Sequence, residues 1–139
     1  GLGDVYKRQV MHRNTFLDSP RLLDEWFMLR GSDNVFFGGQ MTGVEGYVES
    51  AASGIIAGRA LADRLGGKQP LTLPRTTMLG ALCSYISDPT VENFQPMASS
   101  MGILPSLDRV IKGKQERYGA LAQRALSDLD KALSDSEDT

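Results

Sequence analysis

Residues 38–58, GGQMTGVEGYVESAASGIIAG, decide the fold of this chain. The β-branched and aromatic run at residues 35–37 precedes them and predicts a buried strand. The glycines then predict a tight turn, and the alanine-rich segment 47–65 predicts a helix ended by Gly66. Because a helix N-terminus exposes unpaired N–H groups and partial positive charge, the junction is a candidate contact for an electron-rich ligand. A tight strand–helix turn without a ligand is the alternative.

The segments around this junction predict a small α/β arrangement. Residues 22–30 alternate as a short strand does, and GSDN at residues 31–34 predicts a turn, so a strand hairpin is expected there. Two further helices are predicted, from Thr76 as a cap to Ser87 and from about Ser106 to Leu133. The fold class is therefore α/β, a short strand hairpin followed by three mainly helical segments.

Composition restricts the classes of protein. The chain has 139 residues, 41% hydrophobic and 23% charged, as expected for one globular domain. Its net charge of −2 argues against a sequence-wide electrostatic attraction to nucleic acid. Cys83 is the single cysteine, interpreted as a buried small hydrophobe in a reducing cytoplasm. His12 is the single histidine, and no metal site, signal peptide or membrane span is expected.

The two ends of the chain are interpreted separately. Residues 1–9 (GLGDVYKRQ) show no periodicity and are interpreted as a non-native leader, with a native flexible terminus as the alternative. Residues 10–133 form the folded portion. Residues 134–139 are an acidic tail that is predicted to be disordered.

Three ordered motifs resemble one family. Residues 35–58 are similar to the C-terminal FAD-binding segment of GidA-type flavoproteins, and GQMTGVEGYVESAASG is most similar to the folate-dependent tRNA methyltransferase branch, the TrmFO family. MHRNTF at residues 11–16 resembles the same branch, as do FQPM at residues 94–97 and GILP at residues 102–105. The resemblance covers residues 10–133.

The resemblance implies an enzyme that uses methylenetetrahydrofolate, FAD and NAD(P)H. Its product would be 5-methyluridine in the T-loop of tRNA. The family's GxGxxG fingerprint and catalytic cysteines lie in its N-terminal part, and GLGDVY at residues 1–6 does not complete that fingerprint. We therefore expect a C-terminal fragment of a cytoplasmic flavoprotein, inactive alone and without catalytic residues. Its partners would be tRNA and the missing N-terminal dinucleotide-binding half.

The resemblance places the cofactor-binding residues in the glycine-rich turn. They are Gly39, Gln40, Thr42, Gly43, Val44, Glu45, Gly46 and Tyr47. By analogy, backbone N–H groups near residues 44–47 lie at the pyrimidine edge of the flavin and stabilise negative charge on the reduced ring. Glu45 and Glu49 shape the loop or face the substrate channel, or else they are solvated carboxylates at a helix start.

Two groups are candidates for contact with tRNA or substrate. His12, Arg13 and Asn14 belong to the MHRNTF motif and would line the substrate or flavin cavity, with an ordinary loop hydrogen bond as the alternative for His12. The second group is basic, and a solvated helix face is its alternative. Its members are Arg75, Lys112, Lys114 and Arg117, with Arg109 and Arg124 nearby.

Two other functions stay open. The GidA branch proper modifies the wobble uridine of tRNA. The sequence VEGYVESAASG and the short C-terminal tail argue against membership of that branch. A non-catalytic helical interaction module would bind a partner through its apolar stripes. In either enzyme interpretation, apolar surface around Phe36, Ile55 and Leu61 should face the missing half, so poor solubility is expected for the chain alone.

Overall fold

The computed structural model describes residues 15–137, which are mainly helical. The regular elements are α1 (Ser19–Leu22), a 3-10 turn (Gly39–Thr42), α2 (Tyr47–Leu65), α3 (Met78–Ser87), a second 3-10 turn (Met101–Ile103) and α4 (Lys114–Glu137). The three longer helices confirm the prediction of three helical segments, although two of them begin later than expected.

Helix α2 has the bounds that the sequence predicts. It starts directly after Gly46 and ends at Leu65. At its C-terminus the Gly66 N–H donates to the Ala62 carbonyl at 3.0 Å, and the next N–H donates to the Arg64 carbonyl at 3.0 Å. These bonds satisfy carbonyls that the end of a helix leaves free, so the glycine pair stops the helix as expected.

The predicted strand hairpin is not confirmed. Within residues 15–137, antiparallel pairing is limited to isolated bridges between Leu23 and Leu29 and between Met28 and Phe36. The two sides of the GSDN turn therefore meet, but no strand extends from the meeting point. The described residues do not confirm the α/β class.

A side-chain turn at Asp24 explains why the strand does not form. The Asp24 carboxylate accepts hydrogen bonds from the N–H groups of Trp26 at 3.0 Å and Met28 at 2.9 Å. This local competition with strand pairing is typical of aspartate. Between the two donors, Phe27 takes a φ of 64°, which interrupts the extended backbone that a strand requires.

Helix α3 begins at Met78, and its cap is Thr77 instead of the predicted Thr76. The Thr77 hydroxyl accepts the Gly80 N–H at 3.0 Å. The Thr76 hydroxyl instead donates to the Asp128 carboxylate on α4 at 2.5 Å. Both threonines fit a cap by residue type, and the contact with α4 decides between them.

Helix α4 begins at Lys114 and not near Ser106 as predicted. The carbonyls of Pro105 and Ser106 accept hydrogen bonds from the Arg124 guanidinium at 2.5 and 2.8 Å, so this stretch runs alongside the helix instead of entering it. The helix continues to Glu137, past the predicted end at Leu133. Residues 134–137 are thus helical, in contrast to the disordered tail that their acidic composition predicted.

Two apolar clusters hold the elements together. The first joins the segment before α2 to α3, and its buried members include Leu23, Phe27, Val44, Ile86 and Phe94. The second joins α3 to α4. Its buried members are Ala81, Leu104 and Leu121. The first cluster lies directly under the glycine-rich turn, so the core positions the candidate site.

Candidate functional site

The glycine-rich loop, residues 39–46, is held by hydrogen bonds from both of its flanks. The Gly39 N–H donates to the Ser53 hydroxyl of α2 at 2.8 Å. From the other side, the Ser19 hydroxyl donates to the Thr42 carbonyl at 2.8 Å, and the Leu17 N–H donates to the Met41 carbonyl at 2.8 Å. The loop is therefore fixed before any ligand binds.

Gly43 is the point of closest packing in the loop. It has a φ of 85°, and a Cβ atom at this position would lie 2.4 Å from Cζ of Phe94. Real Cβ atoms do not approach a ring so closely, and an L side chain at this φ is also strained. The residue must be glycine because the Phe94 ring occupies the space of a side chain.

The loop also pairs with the segment that contains FQPM. Val44 and Met97 form a parallel bridge. The Met97 N–H donates to the Gly43 carbonyl at 2.9 Å, and the Glu45 N–H donates to the Met97 carbonyl at 3.0 Å. The Glu45 N–H is thus already bonded, although the resemblance places N–H groups of this stretch beside a flavin.

A carboxylate joins the start of α2 to the same segment. Glu49 Oε1 accepts the Ser99 hydroxyl at 2.5 Å and the Ser99 N–H at 3.1 Å. The Ser99 hydroxyl, followed by the backbone N–H groups of Glu49 and Ser99, holds the pKa of the Glu49 carboxyl below its ordinary value of 4.5. A Cβ atom at Gly46, where φ is 106°, would lie 2.1 Å from Glu49 Oε2. Glycine at this position lets the carboxylate fold back over the loop.

The N-terminus of α2 presents free donors to solvent. Among the described residues, no acceptor contacts the N–H groups of Tyr47 and Val48, whose residues are 95% and 78% exposed. Two adjacent N–H groups with the partial positive charge of a 19-residue helix form a surface that suits a carbonyl or an anion.

The three motifs singled out in the sequence meet at this loop. Phe16 closes the MHRNTF motif, and its ring packs edge-on against Phe94 of FQPM, with centroids 5.9 Å apart. Phe94 in turn covers Gly43 of the glycine-rich loop. Segments that are nearly 80 residues apart in sequence thereby form one packed unit.

Comparisons with known proteins agree with the resemblance that these motifs indicate. The family model "Glucose inhibited division protein A" matches residues 3–69. A methylenetetrahydrofolate–tRNA-(uracil-5-)-methyltransferase TrmFO from Staphylococcus epidermidis is 54% identical over 128 residues, which is 91% of this chain. TrmFO proteins from Streptococcus agalactiae and Staphylococcus aureus are each 52% identical, over 126 and 128 residues that are 90% and 91% of this chain.

Over this stretch the chain is similar to TrmFO proteins. It spans 28–29% of the length of these curated relatives. The resemblance that the three motifs indicated is therefore confirmed over most of the chain, and it concerns one part of the relatives' length.

Of the eight residues assigned to the cofactor, Gly39 is half-buried and the other seven fall into two groups. Thr42, Gly43 and Val44 are buried, and the Thr42 hydroxyl donates to the Gly39 carbonyl at 2.8 Å. These residues build the loop and do not face outward. The exposed members are Gln40, Glu45, Gly46 and Tyr47. Only this second group lies at a surface that a cofactor could contact directly.

The structure brings together some of the candidate contacts for tRNA. The cationic groups of Lys114 and Arg117 lie 5.6 and 5.7 Å from the centroid of the Tyr118 ring, and Lys112 precedes α4 by two residues. Arg75 is not part of this group. Its charge acts on Asp88, whose carboxyl pKa is lowered mainly by the Thr90 hydroxyl and N–H and to a smaller extent by Arg75. His12, Arg13 and Asn14 lie outside the described residues.

Cys83 is buried, as the sequence predicted. Burial raises the pKa of its thiol to about 12, with a smaller contribution from the charge of Glu25. At neutral pH the sulfur is therefore a protonated thiol, which is a poor nucleophile.

The contacts that the sequence did not indicate are Glu49 with Ser99 and Tyr118 with its two cations. The glutamate and serine are fifty residues apart, and no local pattern marks such a pair. The tyrosine has a usable signal for Lys114, which precedes it by four positions and so lies on the same side of a helix, but not for the adjacent Arg117. Among the described residues there is no cluster of side chains that would hold a metal ion, and no helix there could cross a membrane.

Proposed function

We propose that this chain is the C-terminal, flavin-side part of a methylenetetrahydrofolate- and FAD-dependent tRNA (uracil-5-)-methyltransferase that forms 5-methyluridine in the tRNA T-loop. The observation that carries the proposal is the 54% identity over 128 residues to a curated TrmFO protein. For the complete protein we propose the α/β architecture of two-dinucleotide-binding flavoproteins and a location in the cytoplasm.

The N-terminus of α2 supports a flavin contact. Tyr47 and Val48 offer adjacent N–H groups that have no acceptor in the described part of the chain, and the exposed backbone of Gly46 lets a flat ring approach them. The buried part of the loop is already fixed by Phe94, so these donors need no rearrangement to meet a ligand. The residues present fit the pyrimidine edge of an isoalloxazine ring.

The chain's own contribution is electrostatic. When bound, FAD supplies reduction of the one-carbon group taken from methylenetetrahydrofolate, with NAD(P)H as the source of electrons. The N–H groups of Tyr47 and Val48 would stabilise negative charge at the edge of the ring. The Glu49 carboxylate accepts hydrogen bonds from the N–H and hydroxyl of Ser99, and these bonds hold the loop in place. We propose no catalytic residue among those described, and we propose that this chain is inactive alone.

The remaining polypeptide of the family is the proposed partner of the outer face of α2. The sequence places small residues along this helix. Within the described part of the chain, a Cβ atom at Gly54 or Gly58 would meet no other atom within 4 Å. Ile55 on the same side is 71% exposed. The relatives are more than three times as long as their matched segment, so the missing dinucleotide-binding half can supply a backbone that packs here.

A backbone substitution tests the flavin contact. The test protein is the chain joined to the rest of its reading frame, purified and measured for bound FAD by its absorbance and fluorescence. Tyr47→Pro removes one N–H at the first helical position, where proline is tolerated, and we expect weaker FAD binding. Tyr47→Ala removes the side chain but keeps the N–H, so it should retain FAD.

The outcomes separate the candidate functions. Bound FAD together with methylation of uridine in the T-loop of a tRNA transcript supports the proposal. Bound FAD with modification only at the wobble uridine supports the GidA-type alternative. If the joined protein binds no FAD in any preparation, the enzyme proposal fails and a helical interaction module becomes the better account.

A further inference from the structure

A basic surface outside the glycine-rich loop lies where α4 begins. We name it the basic cleft and define it by Arg109, Lys112, Lys114, Arg117 and Tyr118. Its four cations are exposed, and in the described part of the chain none of them forms an ion pair with a carboxylate. The whole chain carries −2, yet residues 108–117 contain four basic and two acidic residues.

The ring of Tyr118 contacts two of these cations. The Lys114 ammonium lies 5.6 Å and the Arg117 guanidinium 5.7 Å from the centroid of its ring. Both distances allow a cation–π attraction. The ring therefore holds both cations close to one part of the surface, where their positive charges can attract a phosphate.

A cavity of about 360 Å³ adjoins the cations. Arg109, Arg117 and Tyr118 line it together with the apolar residues Leu104 and Val110. Val110 is 93% exposed, which is unusual for an aliphatic side chain surrounded by charge. An apolar floor beside a cationic rim suits a ligand with a flat ring and a phosphate.

The wall of the cavity is held in place. The Arg124 guanidinium of α4 donates to the carbonyls of Pro105 and Ser106, which line the cavity. Leu104 and Leu121 are both buried in the second apolar cluster beneath it. The cleft is therefore a formed surface and not a loose segment of charged residues.

The cations, not the helix terminus, carry the attraction for an anion. A Cβ atom at Gly113 would lie 3.5 Å from Glu116 Oε2, so this carboxylate folds back toward the start of α4. Its negative charge offsets the partial positive charge of the helix N-terminus. Glu116 thus opposes an anionic ligand, whereas Lys114 and Arg117 attract it.

We propose that the basic cleft binds RNA, with backbone phosphates on Lys114 and Arg117 and an unpaired base against Val110 and the guanidinium planes. Arginine planes and apolar surfaces take unstacked bases in RNA recognition, and the lysines supply phosphate contacts. The inference rests on the proposed function in that the RNA expected there is tRNA. It goes beyond that function because it assigns the contact to one surface of this chain.

Charge variants of the 139-residue chain test the cleft. The probe is a fluorescently labelled tRNA transcript, and its anisotropy is followed at several salt concentrations without flavin or folate. Lys114→Gln with Arg117→Gln should weaken binding at least about threefold and reduce the slope of log affinity against log salt by about 1 to 2. Glu116→Gln removes a negative charge and should instead raise the affinity for the transcript. Lys131→Gln removes one positive charge from the far end of α4, against two in the double variant, and should change nothing beyond the general effect of net charge.

Three results would overturn the proposal. The first is that the chain fails to bind the transcript. The second is that the double variant binds as tightly as Lys131→Gln. The third is that a DNA duplex of equal length competes as well as the RNA does. Circular dichroism of each variant confirms that the helices are intact. Because the assay contains no cofactor, a failure of methylation leaves its result unchanged, and a failure here leaves the proposed reaction unchanged.

Discussion

The glycine-rich loop and the basic cleft differ in how their geometry is fixed. The loop is covered by Phe94 and paired with Met97, and Glu49 at the start of α2 accepts from Ser99, so the loop is held by contacts with a distant segment. The cleft is built from a short stretch next to α4, and its cations are exposed. A change of packing should therefore damage the loop, while the cleft should respond to charge and hardly to packing.

This difference predicts which measurements each region affects. Substitutions at buried contacts of the loop should lower the free energy of unfolding, because they open cavities or create overlaps. Substitutions of exposed charges should leave stability within about 0.5 kcal/mol and alter binding instead. The comparison fails if the two regions respond alike.

The largest expected effect is that of Phe94→Ala. Phe94 is 7% exposed and contacts the rings of Phe16 and Tyr85 at centroid distances of 5.9 and 5.5 Å. Its removal should lower the free energy of unfolding by about 3–5 kcal/mol, measured by urea denaturation. Val110→Ala is the exposed control and should change stability by less than about 0.5 kcal/mol. Equal effects of the two substitutions would contradict the packed arrangement of the three motifs.

The next effect concerns the fit of Gly43 under the ring. Gly43→Ala combines a strained φ with an overlap against Phe94, so we expect a loss of about 2–4 kcal/mol in the free energy of unfolding. Gly58→Ala is the matched control, since a Cβ atom there meets nothing within 4 Å. In the middle of a helix this control should stabilise the chain by about 0.5–1 kcal/mol. A Gly43→Ala variant as stable as the parent would show that the loop is not held under Phe94.

A smaller effect is expected at Arg124, which fixes the wall of the cleft. Arg124→Gln removes the guanidinium that bonds the carbonyls of Pro105 and Ser106, and the loss should be about 1–2 kcal/mol by denaturation. Hydrogen exchange should also become faster around residues 104–107. Arg117→Gln removes the same charge without such bonds, and it should leave both measurements unchanged. Slower exchange or unchanged stability in Arg124→Gln would contradict the proposed anchoring.

The smallest effect depends on pH and concerns Glu49. Its pKa is lowered in the folded chain, so the charged carboxylate stabilises the fold. This contribution is complete above the ordinary value of 4.5 and is lost as pH falls through the lower folded pKa. Glu49→Gln should therefore cost less than about 1 kcal/mol at neutral pH, because the group is solvated, and the difference should shrink on acidification.

The control for this pH dependence is Glu45→Gln. Glu45 is exposed, and within residues 15–137 its carboxylate forms no ion pair and no hydrogen bond. Its substitution should give a stability profile parallel to that of the parent chain. If Glu49→Gln loses stability equally at every pH, the cause is packing and not charge.

Local patterns account for the elements that were predicted correctly. Helix α2 could be predicted because its start and stop signals, Gly46 and Gly66, lie in the sequence next to an uninterrupted alanine-rich run. The strand hairpin that the alternation at residues 26–30 predicted is not confirmed, and a single aspartate accounts for the difference. The Asp24 carboxylate binds two backbone donors and changes the path of the chain.

The candidate site was predictable as a set of motifs but not as an arrangement. The glycine-rich loop, FQPM and MHRNTF were recognised separately, and their order in the chain does not say that Phe16, Phe94 and Gly43 touch. It was also not predictable that the Glu45 N–H is already bonded, while those of Tyr47 and Val48 have no acceptor among residues 15–137. Such pairings depend on which segments pack together, and sequence separation carries no information on that.

The sequence by itself determined the similarity to TrmFO proteins, the extent of α2 and the charge of the basic cleft, because each is encoded in adjacent residues or in the motifs themselves. The tertiary structure alone decided which glycines must remain glycine, which loop residues face outward and where α3 and α4 begin. The physical reason is the same throughout. A ring, a carboxylate or a guanidinium from a distant segment fills space or satisfies a backbone group, and that choice overrides what the local residues prefer.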